Sequence, residues 1–261
     1  MEPDRGRDDR ILPGDNDVIE DALIVMPAYN EAGGIAETLA ELRAVVPRVL
    51  VVDDGSADGT AGMARSAGAR VLCLATNLNY GGALQAGFRY AVKRTEFPFI
   101  VTFDADGQHD PAYIEALLKP LWAGQADYVI GSRYLRKGSA GSWARNLGIR
   151  LFARATSLAL GMRITDPTSG LIAMTREAAQ VLLLDLFPQD YPDADVIIML
   201  RRMGFRIIEV PVAMRSSRSG KSMHAGIVKP LYYIAKMSVS MVHLATRGDL
   251  AGKRKEAQIA A

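Results

Sequence analysis

Short apolar runs alternate with helix-patterned segments through the first half of this chain, and the runs stop abruptly at polar clusters. Residues 22–26, 48–52, 70–74, 97–103 and 128–131 read as strands; the first is apolar from end to end, as a strand buried on both faces requires. Between them, residues 31–45 have helical spacing through Ile35, Leu39 and Leu42. Residues 60–67, 82–93 (with Leu84 and Phe88 as core contacts) and 113–122 also read as helices. Strands alternating with helices predict an α/β fold with parallel strands and right-handed crossovers. Ligands in such sheets bind beyond the carboxyl ends of the strands. The clusters at residues 27–31, 53–56, 104–108 and 131–133 all fall at such ends and are predicted to converge on one crevice, although strand order is not legible from spacing.

The sharpest cluster is Phe103-Asp104-Ala105-Asp106-Gly107-Gln108-His109-Asp110-Pro111. Two carboxylates one residue apart at the end of a buried strand repel each other, which raises a pKa or calls for a cation. A divalent metal with oxygen ligands relieves the repulsion, and magnesium commonly takes one or two carboxylates plus substrate phosphates. Asp104 and Asp106 are therefore candidate metal ligands in a site built for a phosphorylated molecule.

A chain of 261 residues suggests one α/β domain or one domain with appendages, and 49% apolar content supports a sizeable core. The single cysteine, Cys73, rules out an intramolecular disulfide, and no CxxC or Cys/His cluster marks a structural zinc site. Cys73 sits in a strand-like run and is expected to be a buried small hydrophobe. These features fit a reducing cytoplasm. Residues 1–17 are polar, lack the apolar core of a signal peptide and read as a flexible tail.

The formal charge of +2 hides an asymmetry. Residues 132–163 carry Arg133, Arg136, Lys137, Arg145, Arg150, Arg154 and Arg163 but no carboxylate. Within that stretch, residues 143–162 read as a helix. Residues 215–256 carry nine Lys or Arg against Asp249 and Glu256. The apolar stretch at 231–246, interrupted by Lys236 and His243, is shorter than the roughly 20 residues a spanning helix needs; it suits a helix lying in a membrane interface.

Four segments carry a family resemblance: Met26-Pro27-Ala28-Tyr29-Asn30-Glu31, Val51-Val52-Asp53-Asp54-Gly55-Ser56-Ala57-Asp58-Gly59-Thr60, Asp104-Ala105-Asp106-Gly107-Gln108-His109 and Gly131-Ser132-Arg133. Asp166-Pro167-Thr168-Ser169-Gly170 is a fifth. Each is weak alone, but five in order make the chain resemble family 2 glycosyltransferases. Among these it looks most like the dolichyl-phosphate mannosyltransferase and polyprenyl-phosphate glycosyltransferase branch. The resemblance implies a GT-A (Rossmann-like) fold, with a mostly parallel central sheet flanked by helices and, here, a C-terminal amphipathic helical tail. The implied organisation is a tail over residues 1–20, a glycosyltransferase domain over 21–222 and a basic, amphipathic segment over 223–261.

The resemblance also implies roles. Pro27, Tyr29 and Glu31, with Asp53 or Asp54, look like contacts to a nucleotide's base and ribose. Asp104 and Asp106, with Ala105 between them, look like the metal-diphosphate motif for Mg2+ or Mn2+, with Gln108 as a further ligand. Arg133 matches an arginine expected near phosphate. Arg215, Ser219, Gly220, Lys221 and Ser222 resemble a basic loop that closes over a donor or acceptor phosphate. The implied enzyme is a metal-dependent inverting hexosyltransferase. It moves mannose or glucose from a nucleotide diphosphate sugar (GDP-mannose or UDP-glucose) to a polyprenyl or dolichyl phosphate. A metal held by Asp104 and Asp106 stabilises charge on the leaving diphosphate, and Arg133 and Lys221 add fixed positive charge. An acceptor phosphate is already anionic, so no strong base is needed, which suits a sequence without an obvious catalytic His-carboxylate pair. The basic stretches suit an anionic membrane, placing the enzyme at the inner face of the cytoplasmic membrane. No nucleic acid is expected, while the tail leaves room for a homo-oligomer or a membrane-protein partner.

Plainer readings compete at several positions. Asp53-Asp54-Gly55-Ser56 alone fits a capped strand-to-helix turn, and Asp58-Gly59-Thr60 reads as a turn and cap. Histidines in loops are commonly solvated, so His109 is given no metal role. Arg133 fits an ordinary ion pair, and Arg150 and Arg154 fit a solvated helix face. Asp193 and Asp195 precede a helical run at 196–201, where they read as an N-terminal cap or as an acceptor contact. A soluble or cell-envelope saccharide is the alternative acceptor. An aspartyl phosphatase matches Asp104-x-Asp106 only superficially, because Gln108 stands where that pattern usually has Thr or Val. A donor-binding module without turnover is disfavoured, since no motif is visibly broken.

Overall fold

The computed structural model describes residues 18–135, 152–154, 156–158, 160–188, 192–215 and 254. The strands are β1 (Ala22–Ala28), β2 (Val49–Asp53), β3 (Arg70–Cys73), β4 (Phe99–Thr102), β5 (Tyr128–Ser132), β6 (Ile172–Thr175) and β7 (Ile207–Pro211). The helices are α1 (Ile35–Val45), α2 (Thr60–Ser66), α3 (Asn79–Arg94), α4 (Ile114–Trp122), α5 (Arg176–Val181) and α6 (Ala194–Arg202). A 3-10 turn over Pro111–Tyr113, capped by the Asp110 side chain, leads into α4.

The strands form one sheet in the order β3-β2-β1-β4-β6-β5-β7. Neighbours run parallel except at β6, which lies antiparallel between β4 and β5. From β1 the chain builds outward through β2 and β3, then returns to place β4 on the other side of β1. That reversal makes the gap between β1 and β4 the point where loops leave in opposite directions and open a crevice.

Alternation along the central strands divides the core. Leu23, Val25, Leu50, Val52 and Ile100 face α3, where Leu84 and Phe88 meet them together with side chains of α5 and α6. Ile24, Met26, Val49, Val51 and Val101 face the other way, against Ile35, Leu39 and Leu42 of α1 and Leu117, Leu118 and Leu121 of α4. Each such side chain, fully removed from water, stabilises the fold by roughly 1.5–3 kcal/mol. Covered on both faces, β1 can be apolar from end to end.

Pro27 lies inside this central strand yet forfeits little. The last bond to β4 runs from Phe103 N–H to the Val25 carbonyl. Backbone groups two residues apart on a strand point the same way, so the missing N–H of Pro27 falls just past the end of that ladder.

Helix α3 begins at Asn79 and β4 at Phe99, three residues earlier and two residues later than the spacing predicts. Strands β6 and β7 and helix α5 were not predicted. Cys73 departs from expectation: it is exposed, because β3 is an edge strand with its outer flank open to solvent. Residues 152–154, 156–158 and 160 are helical, inside the helix predicted over 143–162. Gly161 and Met162, placed at the end of that helix by the spacing, form a turn and bend instead, Gly161 with φ of 62°. Residues 143–151, 155 and 159, the N-terminal tail over 1–17, the stretch 231–246 and the 223–261 segment apart from Arg254 lie outside the described residues.

Gly87 of α3 marks where helix and sheet approach most closely. A Cβ there would stand 2.3 Å from Val25 Cγ1 and 3.1 Å from Val52 Cγ2. Gly87→Ala should lower stability by about 1–3 kcal/mol through overpacking, measured by guanidinium denaturation. Val25→Ala in the same chain should recover part of the loss relative to the sum of the two single changes.

Candidate functional site

The loops leaving β1 and β2 are laced together before any ligand is considered. Asn30 N–H donates to Ser56 Oγ at 2.9 Å, and Asn30 Oδ1 accepts from Ala57 N–H at 3.0 Å. Glu31 N–H donates to Thr60 Oγ1, and Ala32 N–H to Asp58 Oδ2. Asp58 also accepts from Thr60 N–H, so it closes the turn into α2 and ties the two loops at once. Of the turn-and-cap expectation for Asp58-Gly59-Thr60 the turn is present, with a cross-loop bond added; the N-cap position is Gly59, which has no side chain to cap with. Tyr29 is left 51% exposed at the rim.

Asp53 and Asp54 are both buried at the end of β2, and they do different things. Asp54 Oδ1 accepts from Leu78 N–H at 2.7 Å, tying in the approach to α3. Burial raises the Asp54 pKa, the charge of Asp53 adds to this, and the Leu78 and Asn79 amides oppose it. Asp53 Oδ1, by contrast, is buried with no hydrogen-bond partner among the described residues. A bare buried acceptor is costly unless something donates to it, so the geometry suits a ligand hydroxyl or ring N–H.

After β4, Asp104 is held from three sides. Tyr80 of α3 donates its hydroxyl to Oδ1 at 2.9 Å, and His109 Nε2 lies 3.0 Å from Oδ2. A Cβ on Gly170 would sit 2.3 Å from Oδ2, so only glycine leaves the carboxylate its place. Burial pushes the Asp104 pKa up, but the hydrogen bond and charge of His109, then the Tyr80 hydroxyl and the charge of Arg133, outweigh it and leave it lowered. Burial and the charge of Asp104 keep the Tyr80 hydroxyl protonated well above its usual range, so it acts as a donor. Facing an ionised carboxylate, His109 donates from Nε2, and its Nδ1 is buried without a partner among the described residues.

Asp106 is less constrained. Its Oδ1 accepts from Gln108 N–H at 2.9 Å, which turns the loop back. Its pKa is raised, first by burial and then by the charge of Asp104, against the Gln108 amide. Ala105 is buried between the two carboxylates, and its carbonyl accepts a long bond of 3.4 Å from Thr38 Oγ1. Among the described residues no group of three His, Cys, Asp or Glu side chains is placed to hold a metal alone. Two carboxylates one residue apart suit instead a cation that completes its shell with phosphate and water.

Arg133 follows β5 and is gripped along one edge. Its Nε and Nη2 each donate to Asp166 at 2.6 Å, and Nη2 also reaches the Thr168 carbonyl and hydroxyl. Asp166 is wholly buried. The ion pair named among the plainer readings is thus present, and it joins two of the segments quoted for the family resemblance. Among the described residues Nη1 has only Met214 Sδ, at 3.7 Å, and the guanidinium feels the charge of Asp104. Arg215 is paired with Glu41 at 2.6 Å and Asp110 at 3.0 Å, and its N–H donates to the Gln108 carbonyl. It braces the loop after β4. Lys221 lies outside the described residues, as do Ser219, Gly220 and Ser222.

The sequence-predicted residues Pro27, Tyr29, Glu31, Asp53, Asp54, Asp104, Ala105, Asp106, Gln108 and Arg133 therefore lie at one end of the sheet. Three contributors escaped prediction. His109 is 3% exposed rather than solvated, and it does form a His-carboxylate pair, with Asp104. Tyr80 and Glu209 belong to no motif, and only the fold brings them in. Asp195 is buried and its Oδ1 accepts from the Asp193 and Val196 amides, which accords with the capping reading. Gly170→Ala should displace Asp104 and weaken Mn2+ binding about tenfold, a roughly 1.4 kcal/mol loss, with the fold intact. Electron paramagnetic resonance titration of Mn2+ checks the first point and far-UV circular dichroism the second.

The family model described as "Glycosyl transferase family 2" matches residues 23–183. An undecaprenyl-phosphate mannosyltransferase of Micrococcus luteus is 35% identical over 218 residues, covering 79% of this chain and 88% of that protein. A polyprenol monophosphomannose synthase of Mycolicibacterium smegmatis is 30% identical, covering 83% and 86%. Among solved structures, glucosyl-3-phosphoglycerate synthase of Mycobacterium tuberculosis, crystallised with Mn2+, UDP-glucose and phosphoglyceric acid, aligns with a TM-score of 0.66 and 22% identity over 88% of this chain and 81% of that one. That likeness shows a shared fold, the GT-A arrangement of a central sheet between helical layers. A family model covering most of the chain, together with relatives matched along most of their length, makes this protein a member of glycosyl transferase family 2.

Proposed function

We propose that this protein moves a hexose from a nucleotide diphosphate sugar to a polyprenyl phosphate at the cytoplasmic face of a membrane, inverting the anomeric centre. The observation that carries the reading is the paired carboxylates Asp104 and Asp106 at the β1/β4 switch point, flanked by the bare acceptor Asp53 Oδ1 on one side and Arg133 Nη1 on the other. The relatives' acceptors, undecaprenyl phosphate and polyprenol by name, support the lipid side. Among the described residues no helix is long and apolar enough to cross a membrane. Contact with the lipid is therefore assigned to the basic segments at 132–163 and 215–256.

In this reading Asp53 accepts from the nucleotide's ribose or base, and Tyr29 covers it from the rim. Asp104, Asp106 and Gln108 hold Mg2+ or Mn2+, which when bound supplies Lewis-acid stabilisation of charge on the leaving diphosphate. Tyr80 and His109 keep Asp104 ionised and oriented. Arg133 offers Nη1 to a phosphate oxygen, a charge-assisted bond preorganised by Asp166. The acceptor's phosphate oxygen is anionic already, so no side chain has to remove a proton before attack. This accords with His109 being committed to Asp104 rather than open to solvent.

Two measurements test the reading. One nucleoside diphosphate with Mn2+ should raise the melting temperature above all others. At a hundredfold excess over Kd the stabilisation is about 2.7 kcal/mol, roughly 5–10 °C for a chain of this size. Asp106→Asn should abolish the Mn2+-dependent part of that shift and lower transfer by about 10²-fold or more. A chelator-insensitive transferase activity would refute the metal's role. Flotation with anionic liposomes at low salt tests the acceptor: binding is expected, and its absence would favour a soluble or cell-envelope saccharide instead.

A further inference from the structure

Glu209 is a half-buried carboxylate that the proposed reaction does not use. It projects from β7, with Ile130 of β5 as its register partner. Its two oxygens collect four donor contacts from one turn. Thr165 N–H lies 2.9 Å from each oxygen, Asp166 N–H donates to Oε1 at 2.8 Å, and Thr165 Oγ1 donates to Oε2 at 2.9 Å. The same turn presents Asp166, whose Oδ2 also accepts from Arg133 N–H at 3.0 Å. Ser132 Oγ and Thr165 Oγ1 meet at 2.6 Å, closing the turn against the end of β5.

We infer that Glu209 is a positioning residue for Arg133, acting through the Thr165–Asp166 turn to aim the Nη1 edge at a ligand phosphate. Satisfying two backbone amides does not need a carboxylate, since water or a neutral side chain would serve. Two carboxylates stacked behind one guanidinium are electrostatically unfavourable, and burial together with the charge of Asp166 raises the Glu209 pKa. What the arrangement gains is rigidity. Adjacent N–H groups and a hydroxyl converging on one planar anion fix the turn in all directions. Asp166 is then fixed, and its two-pronged grip leaves the guanidinium no rotation. A cation held this way presents one edge only, and a small tilt of the turn would move that edge off its target.

The inference rests on the proposed reading of Arg133 as a phosphate contact. The test is a double-mutant cycle on nucleoside diphosphate binding with Mn2+, read by titration calorimetry, alongside guanidinium denaturation of each variant. Arg133→Lys keeps a positive charge for Asp166 but removes the fork and Nη1. Glu209→Gln keeps shape but sets an amide NH2 against the turn's donors. Each change should weaken binding about tenfold, the lower end for a hydrogen bond to a charged group, and the double variant should bind no more weakly than Arg133→Lys alone. Effects that multiply in the double variant, or Glu209→Gln binding like wild type, would overturn the inference while leaving the proposed function standing. A wild-type protein that binds no nucleoside diphosphate would overturn both. Should Glu209→Gln not fold, Thr165→Val, which deletes only the hydroxyl bonds, takes its place. It should weaken binding two- to threefold in Arg133 chains, with no effect in Arg133→Lys; an equal effect in both would overturn the inference.

Discussion

Carboxylates crowd the end of this sheet, and the loops are arranged around their mutual repulsion. Asp53, Asp54, Asp104, Asp106 and Asp166 lie at or beside strand ends, several of them buried, and Glu209 reaches the Thr165–Asp166 turn from the middle of β7. Like charges in such surroundings survive only if each is supplied with donors or cations. Asp54, Asp166 and Glu209 are supplied from within: one by the Leu78 amide, one by Arg133, one by a turn. Asp104 is supplied by Tyr80 and His109. Among the described residues Asp53 Oδ1 has no hydrogen-bond partner, and Asp106 Oδ1 accepts from one amide. The two under-supplied carboxylates flank the β1/β4 gap. In the proposed reading, the carboxylates that build the site are the ones the fold supplies, and the two left short face the ligand.

This division also explains the antiparallel strand. β6 carries the chain back between β4 and β5, so the Asp166–Gly170 segment that precedes it arrives at the same end of the sheet as the loops after β4 and β5. Thr102 Oγ1 donates to the Gly170 carbonyl at 2.7 Å, and Ser169 Oγ to the Gly131 carbonyl at 2.7 Å. A parallel strand in that position would bring its carboxyl end there instead, after the segment rather than before it. One reversal therefore lets a single loop touch Asp104 through Gly170 and Arg133 through Asp166.

Strands β1, β2, β4 and β5 were legible because burial on both faces leaves an uninterrupted apolar run. The polar residues that end those runs named most of the site. Legibility failed where burial was one-sided or the cause was distant. β7 reads Ile-Ile-Glu-Val-Pro, and its glutamate looks like a break until the turn it serves is seen. Cys73 looked like core because an edge strand has the composition of an inner one. His109 looked solvated because nothing local announces the Asp104 carboxylate folding back over it, nor the Phe103 ring 5.4 Å from its own. Tyr80 lies 24 residues before its partner. No spacing rule connects the first turn of α3 to the end of β4; only the crossover between them does.

The Arg133–Asp166 pair bears on how charge is handled in transfer. A guanidinium gripped by a buried carboxylate, with Glu209 behind it, contributes little net positive charge at long range, because fields from opposite charges a few ångströms apart largely cancel. What survives is short-range and directional: the Nη1 edge as a hydrogen-bond donor. In the proposed reaction the charge building on a leaving diphosphate would then be met chiefly by a cation at Asp104 and Asp106, with Arg133 fixing where the phosphate stands. Such an arrangement separates stabilisation from aim. In the proposed reading it also accounts for setting one wholly buried carboxylate, Asp166, and one half-buried carboxylate, Glu209, behind a single arginine while Asp106 accepts from one amide: the first arrangement keeps geometry, and the second leaves Asp106 for a metal.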